Sequence, residues 1–225
     1  MTHARVPGRP KAWTRRLVRC GVAAGPIFVT AFLLEGAVRD DYHPLRHPVS
    51  SLALGPRGWR QVGNFAVAGT SVLAGAAGLM RAEDPVAGRA APALIAAAGA
   101  GLICSAFFAT DPVSGYPPGT PEALTRTGII HNLAAVPVFT GLPGAALVTA
   151  RRSWREDQHR FSLYSAGTAA TMLVTVALAS AGFAQSPRFT GLAGLFQRAS
   201  VITGFTWLTA LSAQTLRRNA ALASR

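Results

Sequence analysis

Six stretches of this chain carry no charged residue: 20–34, 61–80, 90–110, 127–150, 161–187 and 199–216. The charges are gathered between them. A helix needs roughly 20 mainly apolar residues, within a range of about 17 to 25, to cross the hydrocarbon of a bilayer. Five of the stretches are long enough as they stand, and the first becomes so when extended through Glu35 to Val38. The connections are too short to hold a separate soluble domain. The expected fold is therefore all-α, an integral membrane bundle of six transmembrane helices near 20–38, 61–80, 90–110, 128–150, 162–184 and 197–216. These form one membrane domain over residues 20–216, with a basic cytoplasmic arm (1–19) before it and a short basic cytoplasmic tail (217–225) after it.

Composition supports this class. Only 14% of the residues are charged, against about 25% in a typical soluble domain. The apolar runs are rich in small residues, as in Gly69-Thr70-Ser71 and Gly75-Ala76-Ala77-Gly78, which let membrane helices approach closely. The 22 Lys and Arg against 9 Asp and Glu give a formal net charge of +13, which alone would suggest a nucleic-acid partner. Its distribution points elsewhere. Six basic residues precede the first span (Arg5, Arg9, Lys11, Arg15, Arg16, Arg19), two lie in the second loop (Arg81, Arg89), four in the fourth (Arg151, Arg152, Arg155, Arg160) and three in the tail (Arg217, Arg218, Arg225). The alternate loops hold four (Arg39, Arg46, Arg57, Arg60), one (Arg126) and two (Arg188, Arg198). Cytoplasmic loops carry the excess of Lys and Arg, so fifteen against seven puts both termini in the cytoplasm. The charge then reads as a topology signal and an attraction to anionic inner-leaflet lipid, with no nucleic-acid role. Lys11 is the single lysine, a bias that goes with a GC-rich genome and suggests a bacterial plasma membrane.

Thr14-Arg15-Arg16 has the look of a twin-arginine export signal, but no small-residue cleavage site follows, so it reads as a basic flank of the first helix. Cys20 and Cys104 fall in different spans and read as small packing residues; no disulfide is expected.

With that topology, each span places a polar group near its extracytoplasmic end: Glu35, then Asn64, Asp111, His131 with Asn132, Gln185, and Gln197 with Arg198. Such groups are costly in lipid and normally face a bundle interior or a wet cavity. They suggest an outward-opening polar pocket in which Glu35, Asp111 and His131 form a buried network and Arg46 and Arg198 engage an anionic headgroup. The outer loops 39–59 and 110–121 are rich in proline, which fixes φ and restricts its predecessor; stiff turns of this kind suit a binding rim or lid. His43 and His47 have i, i+4 metal spacing, but Pro48 disfavours helical geometry at His47, so their rings need not share a face, and neither a metal nor a cofactor is expected. Ser50 or Ser51 with His47 or His131 could suggest nucleophilic catalysis, though a serine before Leu52-Ala53-Leu54 is more simply a helix cap. His47-Pro48-Val49-Ser50 and Asp111-Pro112-Val113-Ser114 echo each other, each followed by a span opened by Asn64 or Asn132, as a repeat of helix pairs would.

Tyr42-His43-Pro44-Leu45-Arg46-His47-Pro48-Val49-Ser50 with Gly55 and Gly58-Trp59, then Asn64-Phe65, Asp111-Pro112, Gly115-Tyr116-Pro117-Pro118-Gly119-Thr120-Pro121, His131-Asn132 and Gly194-Leu195-Phe196-Gln197-Arg198 resemble the bacterial domain-of-unknown-function 998 family. The resemblance spans nearly the whole chain outside the basic termini. It implies a six-helix membrane protein with these motifs on one side, and no established activity. Where the family pattern more often has Gly-Tyr-Asp-Pro, this chain has Asp41-Tyr42-His43-Pro44, which makes His43 a poor shared ligand; His47, Ser50, Asn64, Asp111, His131 and Arg198 match the pattern.

The residues thus suggest a binding role, with pocket candidates Glu35, Arg46, His47, Ser50, Asn64, Asp111, His131, Asn132, Gln197 and Arg198, catalytic residues unassigned, and membrane lipids or a small amphipathic molecule as partners. A membrane-embedded, metal-dependent lipid hydrolase and a non-catalytic accessory of a membrane-protein partner are the alternatives.

Overall fold

A computed structural model describes residues 12–82 and 86–224. Six long helices account for most of them: α1 (Ala12–Ala37), α2 (Trp59–Arg81), α3 (Ala90–Phe107), α4 (Arg126–Arg155), α5 (His159–Phe183) and α6 (Ala193–Ala223), with 3-10 turns at Val49–Ala53 and Thr190–Leu192. Most of them outrun the apolar stretches, because a helix satisfies its own backbone and need not stop at the hydrocarbon boundary. α1 begins at Ala12, so the described part of the basic arm is its first two turns; Arg5, Arg9, Lys11, Glu83, Asp84 and Arg225 lie outside the described residues. α3 ends early, at Phe107, where the chain leaves in extended form toward Asp111. By length and composition, α1 to α5 can each cross a membrane. α6 is long enough but more polar, carrying Gln197, Arg198, Gln214 and several hydroxyl residues.

Each helix packs on its neighbours in the chain, and α6 returns to α1, so the six close into a ring. Glycines set the close approaches. A Cβ on Gly75 of α2 would lie 2.7 Å from the Gly21 Cα of α1, and one on Gly69 would lie 2.8 Å from the Gly99 carbonyl oxygen of α3. On the other flank of α1, Gly25 faces the Phe205 carbonyl of α6 at 2.8 Å in the same sense. Without a hydrophobic drive between helices in lipid, such contacts supply the dispersion that holds the ring. Pro26 inside α1 has no amide to donate to the Val22 carbonyl; the Thr209 hydroxyl of α6 donates to that carbonyl instead, at 3.1 Å.

Large apolar side chains cover the outside of the ring, among them Ile27, Leu33, Leu133, Leu163 and Val174. Exposed Trp13 and Trp154 mark one end and Trp59 the other, where amphipathic rings anchor at membrane interfaces. The ends differ. At one, residues 82–89 and 156–158 connect helices, and Val86 and Ala87 are buried. At the other, the connections 38–58, 108–125 and 184–192 are longer and folded. Val113 and Tyr116 form a bridge around Ser114 and Gly115, both at positive φ, a two-residue turn of the hairpin type. The counterpart after His47-Pro48 is instead a 3-10 turn, so the echo between the two loops is not a structural repeat.

Candidate functional site

The first loop is stitched to the bundle by two arginines. From α6, Arg198, 5% exposed, donates to the carbonyls of Pro44, His47 (2.9 Å) and Gly194 (3.1 Å) and to the Tyr42 hydroxyl, with its guanidinium 5.5 Å from the centre of the Tyr42 ring. Arg39 donates to the Leu52 and Leu54 carbonyls, both at 3.0 Å. Between them, Gln197 accepts the Val49 amide at 2.8 Å, which holds the 3-10 turn over the ring. Tyr42, His47 and Tyr116 pack ring against ring, with centroids 5.2 to 5.4 Å apart. Burial raises the Tyr42 phenol above its usual range although Arg198 opposes it. The His47 imidazole is pushed down to about 4, first by burial and then by the charges of His43 and Arg46.

Beneath the 3-10 turn lies a cavity of about 180 Å³ to which every helix contributes a wall: Phe28, Phe65, Leu102, Val138, Ala179 and Val201 make its apolar body. Ser50, Ser105, His131, Asn132, Ser180 and Gln197 supply its polar atoms. His131 is 3% exposed, with Nδ1 2.8 Å from the Phe108 carbonyl; that oxygen only accepts, so Nδ1 carries the hydrogen. Ser50, Asn132, Phe183 and Gln197 also border a second, outer space of about 480 Å³ that includes Asp111, Glu122 and Leu124. The two form an apolar chamber under a polar vestibule. Asp111 holds Thr125, the N-cap of α4, accepting from its amide at 2.9 Å and its hydroxyl at 2.6 Å, and Glu122 accepts the Ser114 amide at 2.8 Å.

Five of the ten expected residues therefore meet at this cavity: Ser50, Asp111, His131, Asn132 and Gln197. The other five are placed elsewhere. Glu35 does not join Asp111 and His131; it pairs with Arg39 at 2.8 Å and Arg60 at 3.0 Å, because these two guanidiniums come from just past the end of α1 and from the start of α2. Asn64 donates to the Phe28 carbonyl at 3.1 Å, tying α2 to α1, and with Glu35 borders a separate groove. Arg198 and His47 build the loop scaffold, and Arg46 lies exposed beside the turn at Gly115. The rings of His43 and His47 do lie together, 5.6 Å between centroids, since residues 43–47 make one helical turn before Pro48. The His47 Nδ1 is occupied by the His43 amide at 3.0 Å. Among the described residues no group of three His, Cys, Asp or Glu is arranged to hold a metal.

The family model described as a protein of unknown function, DUF998, matches residues 22–214. The chain belongs to the DUF998 family. No curated protein and no solved structure matches it. Asp41 sits at φ 57°, a left-handed conformation that glycine adopts freely and aspartate tolerates. The residues that sequence reading passed over are the cavity's apolar walls, Ser105 and Ser180 within the helices, and Glu122. Phe28 and Phe65 look like any core aromatic, whereas Glu122, the acid that follows the proline-rich third loop, was visible.

Proposed function

We propose that this DUF998 protein crosses a bacterial plasma membrane six times, with both termini in the cytoplasm, and uses the cavity at its extracytoplasmic end to bind or move a lipid or other small amphipathic molecule. The observation that carries the reading is the two-part cavity, apolar where six helices meet and polar toward the loops, which matches a molecule with an apolar chain and a polar end. Burial of Trp207, Leu208 and Leu211 of α6 between the two neighbours it packs against, α5 and α1, supports a sixth span, since a helix that closes a ring of spans shares their depth. The fifteen-to-seven split of basic residues supports the orientation. Leu124, on the border of the vestibule and 78% exposed, gives it an apolar lip through which a chain can reach the bilayer.

Native mass spectrometry of protein extracted in mild detergent tests this. One amphiphile per chain is expected to stay bound, and to be lost in Ala179→Trp, which fills the chamber, and in the smaller change Val176→Phe. A chain without bound amphiphile, or one whose occupancy neither substitution alters, overturns the reading.

A further inference from the structure

We infer that the cavity selects amphiphiles whose polar end donates hydrogen bonds, an ammonium above all, and rejects those with an anionic end. The inference rests on the cavity reading above and names the ligand class. No Arg or Lys borders either space among the described residues. Of the two arginines that the sequence offered for an anionic headgroup, Arg198 is committed to three carbonyls and Tyr42; nearby, Arg39 is committed to Glu35 and two carbonyls, Arg60 to Glu35, and Arg57 to Asp40 and the Val38 carbonyl. Arg46 is exposed outside the vestibule.

The vestibule's ionisable groups are instead two carboxylates, Asp111 and Glu122. Asp111 spends part of its charge on the α4 N-terminus. Glu122 is steadied by one backbone amide on Oε1 and keeps Oε2 for a ligand. Deeper in, the polar wall of the chamber is made of uncharged side chains, Ser50, Ser105, Asn132, Ser180 and Gln197, whose hydroxyl and amide oxygens accept hydrogen bonds. An ammonium on a chain lying in the chamber meets acceptors at each level, whereas a phosphate or carboxylate meets two like charges.

The test is a titration, by native mass spectrometry in neutral detergent, of dodecylammonium, dodecylglycerol and dodecyl phosphate, which share one chain. Dodecylammonium is expected to bind roughly ten-fold tighter than dodecyl phosphate, with dodecylglycerol between. The bulk charge of +13 works the other way, so nonspecific association cannot imitate this order. Asp111→Asn disturbs the N-terminus of α4, so Glu122→Gln, at an exposed position, carries the mutational arm; it is expected to shrink the preference for dodecylammonium over dodecyl phosphate several-fold, with dodecylglycerol weakened less than dodecylammonium. Dodecyl phosphate binding as tightly as dodecylammonium, or a preference untouched by Glu122→Gln, overturns the inference and leaves the cavity reading standing. Failure of all three to bind overturns both.

Discussion

The guanidinium of Arg198 reaches chain segments 151 and 154 residues away, and its partners are carbonyls and a phenol that no lysine could match from one position. Arg198→Lys is expected to destabilise the protein by about 2–4 kcal/mol, because buried acceptors lose a charged donor and a point charge replaces a planar fork. Thermal unfolding in detergent, with proteolysis of the loop 38–58 as a local readout, checks it; an unchanged melting temperature contradicts it. His47 adds a pH dependence. Its imidazole titrates near 4 in the fold against an ordinary 6.5, so the unfolded chain binds the extra proton first. Stability that is complete above pH 6.5 is lost progressively as pH falls toward 4. A melting curve across that window should be flatter in His47→Gln, which never gains charge. Neither role was legible from single residues. Arg198 and His47 stood out as polar groups near a span, but their partners are backbone carbonyls and amides distant in sequence or hidden in a turn, which leave no residue-type signature.

At the scale of elements, the spacing of charges was enough to place the helices, since a chain in lipid must satisfy its backbone within each segment. Their ends were less legible. Arg15, Arg16 and Arg19 read as an arm, yet nothing in their chemistry stops a helix outside the hydrocarbon, and α1 runs through them. The Pro26 gap shows how neighbours complete one another: the Val22 carbonyl has the Thr209 hydroxyl as its donor. Thr209→Val is expected to cost about 1–2 kcal/mol by stranding that carbonyl. In the Pro26→Ala background, where residue 26 regains its amide, the same substitution should cost much less. A double-mutant cycle on thermal stability measures the difference; equal costs in both backgrounds contradict the assignment.

In the whole molecule, the asymmetry between the two ends follows from loop length and from what the loops bury. One end has short connections, with Val86 and Ala87 buried. The other end carries a chamber, a vestibule and a 3-10 turn held by Gln197, Arg39 and Arg198. The sequence placed polar groups at that end because charge counts orient the chain and helix ends are easily located. It could not say which groups converge, because convergence depends on which face of each helix turns inward and on the closure of α6 against α1. Glu35 and Asn64 turned toward the α1–α2 seam, and Ser50 came in from a loop. The central claim is that an amphiphile-sized cavity opens to the extracytoplasmic side, and Ser50, on the border of both spaces, reports on it most directly. With Cys20→Ala and Cys104→Ala as background, Ser50→Cys is exposed to a membrane-impermeant maleimide in sealed right-side-out vesicles, alongside Arg155→Cys at the opposite end. Modification of Ser50→Cys from outside, slowed several-fold by dodecylglycerol, with Arg155→Cys protected until the vesicles are opened, is the predicted result. Labelling of Arg155→Cys from outside, or a Ser50→Cys rate indifferent to dodecylglycerol, would contradict it.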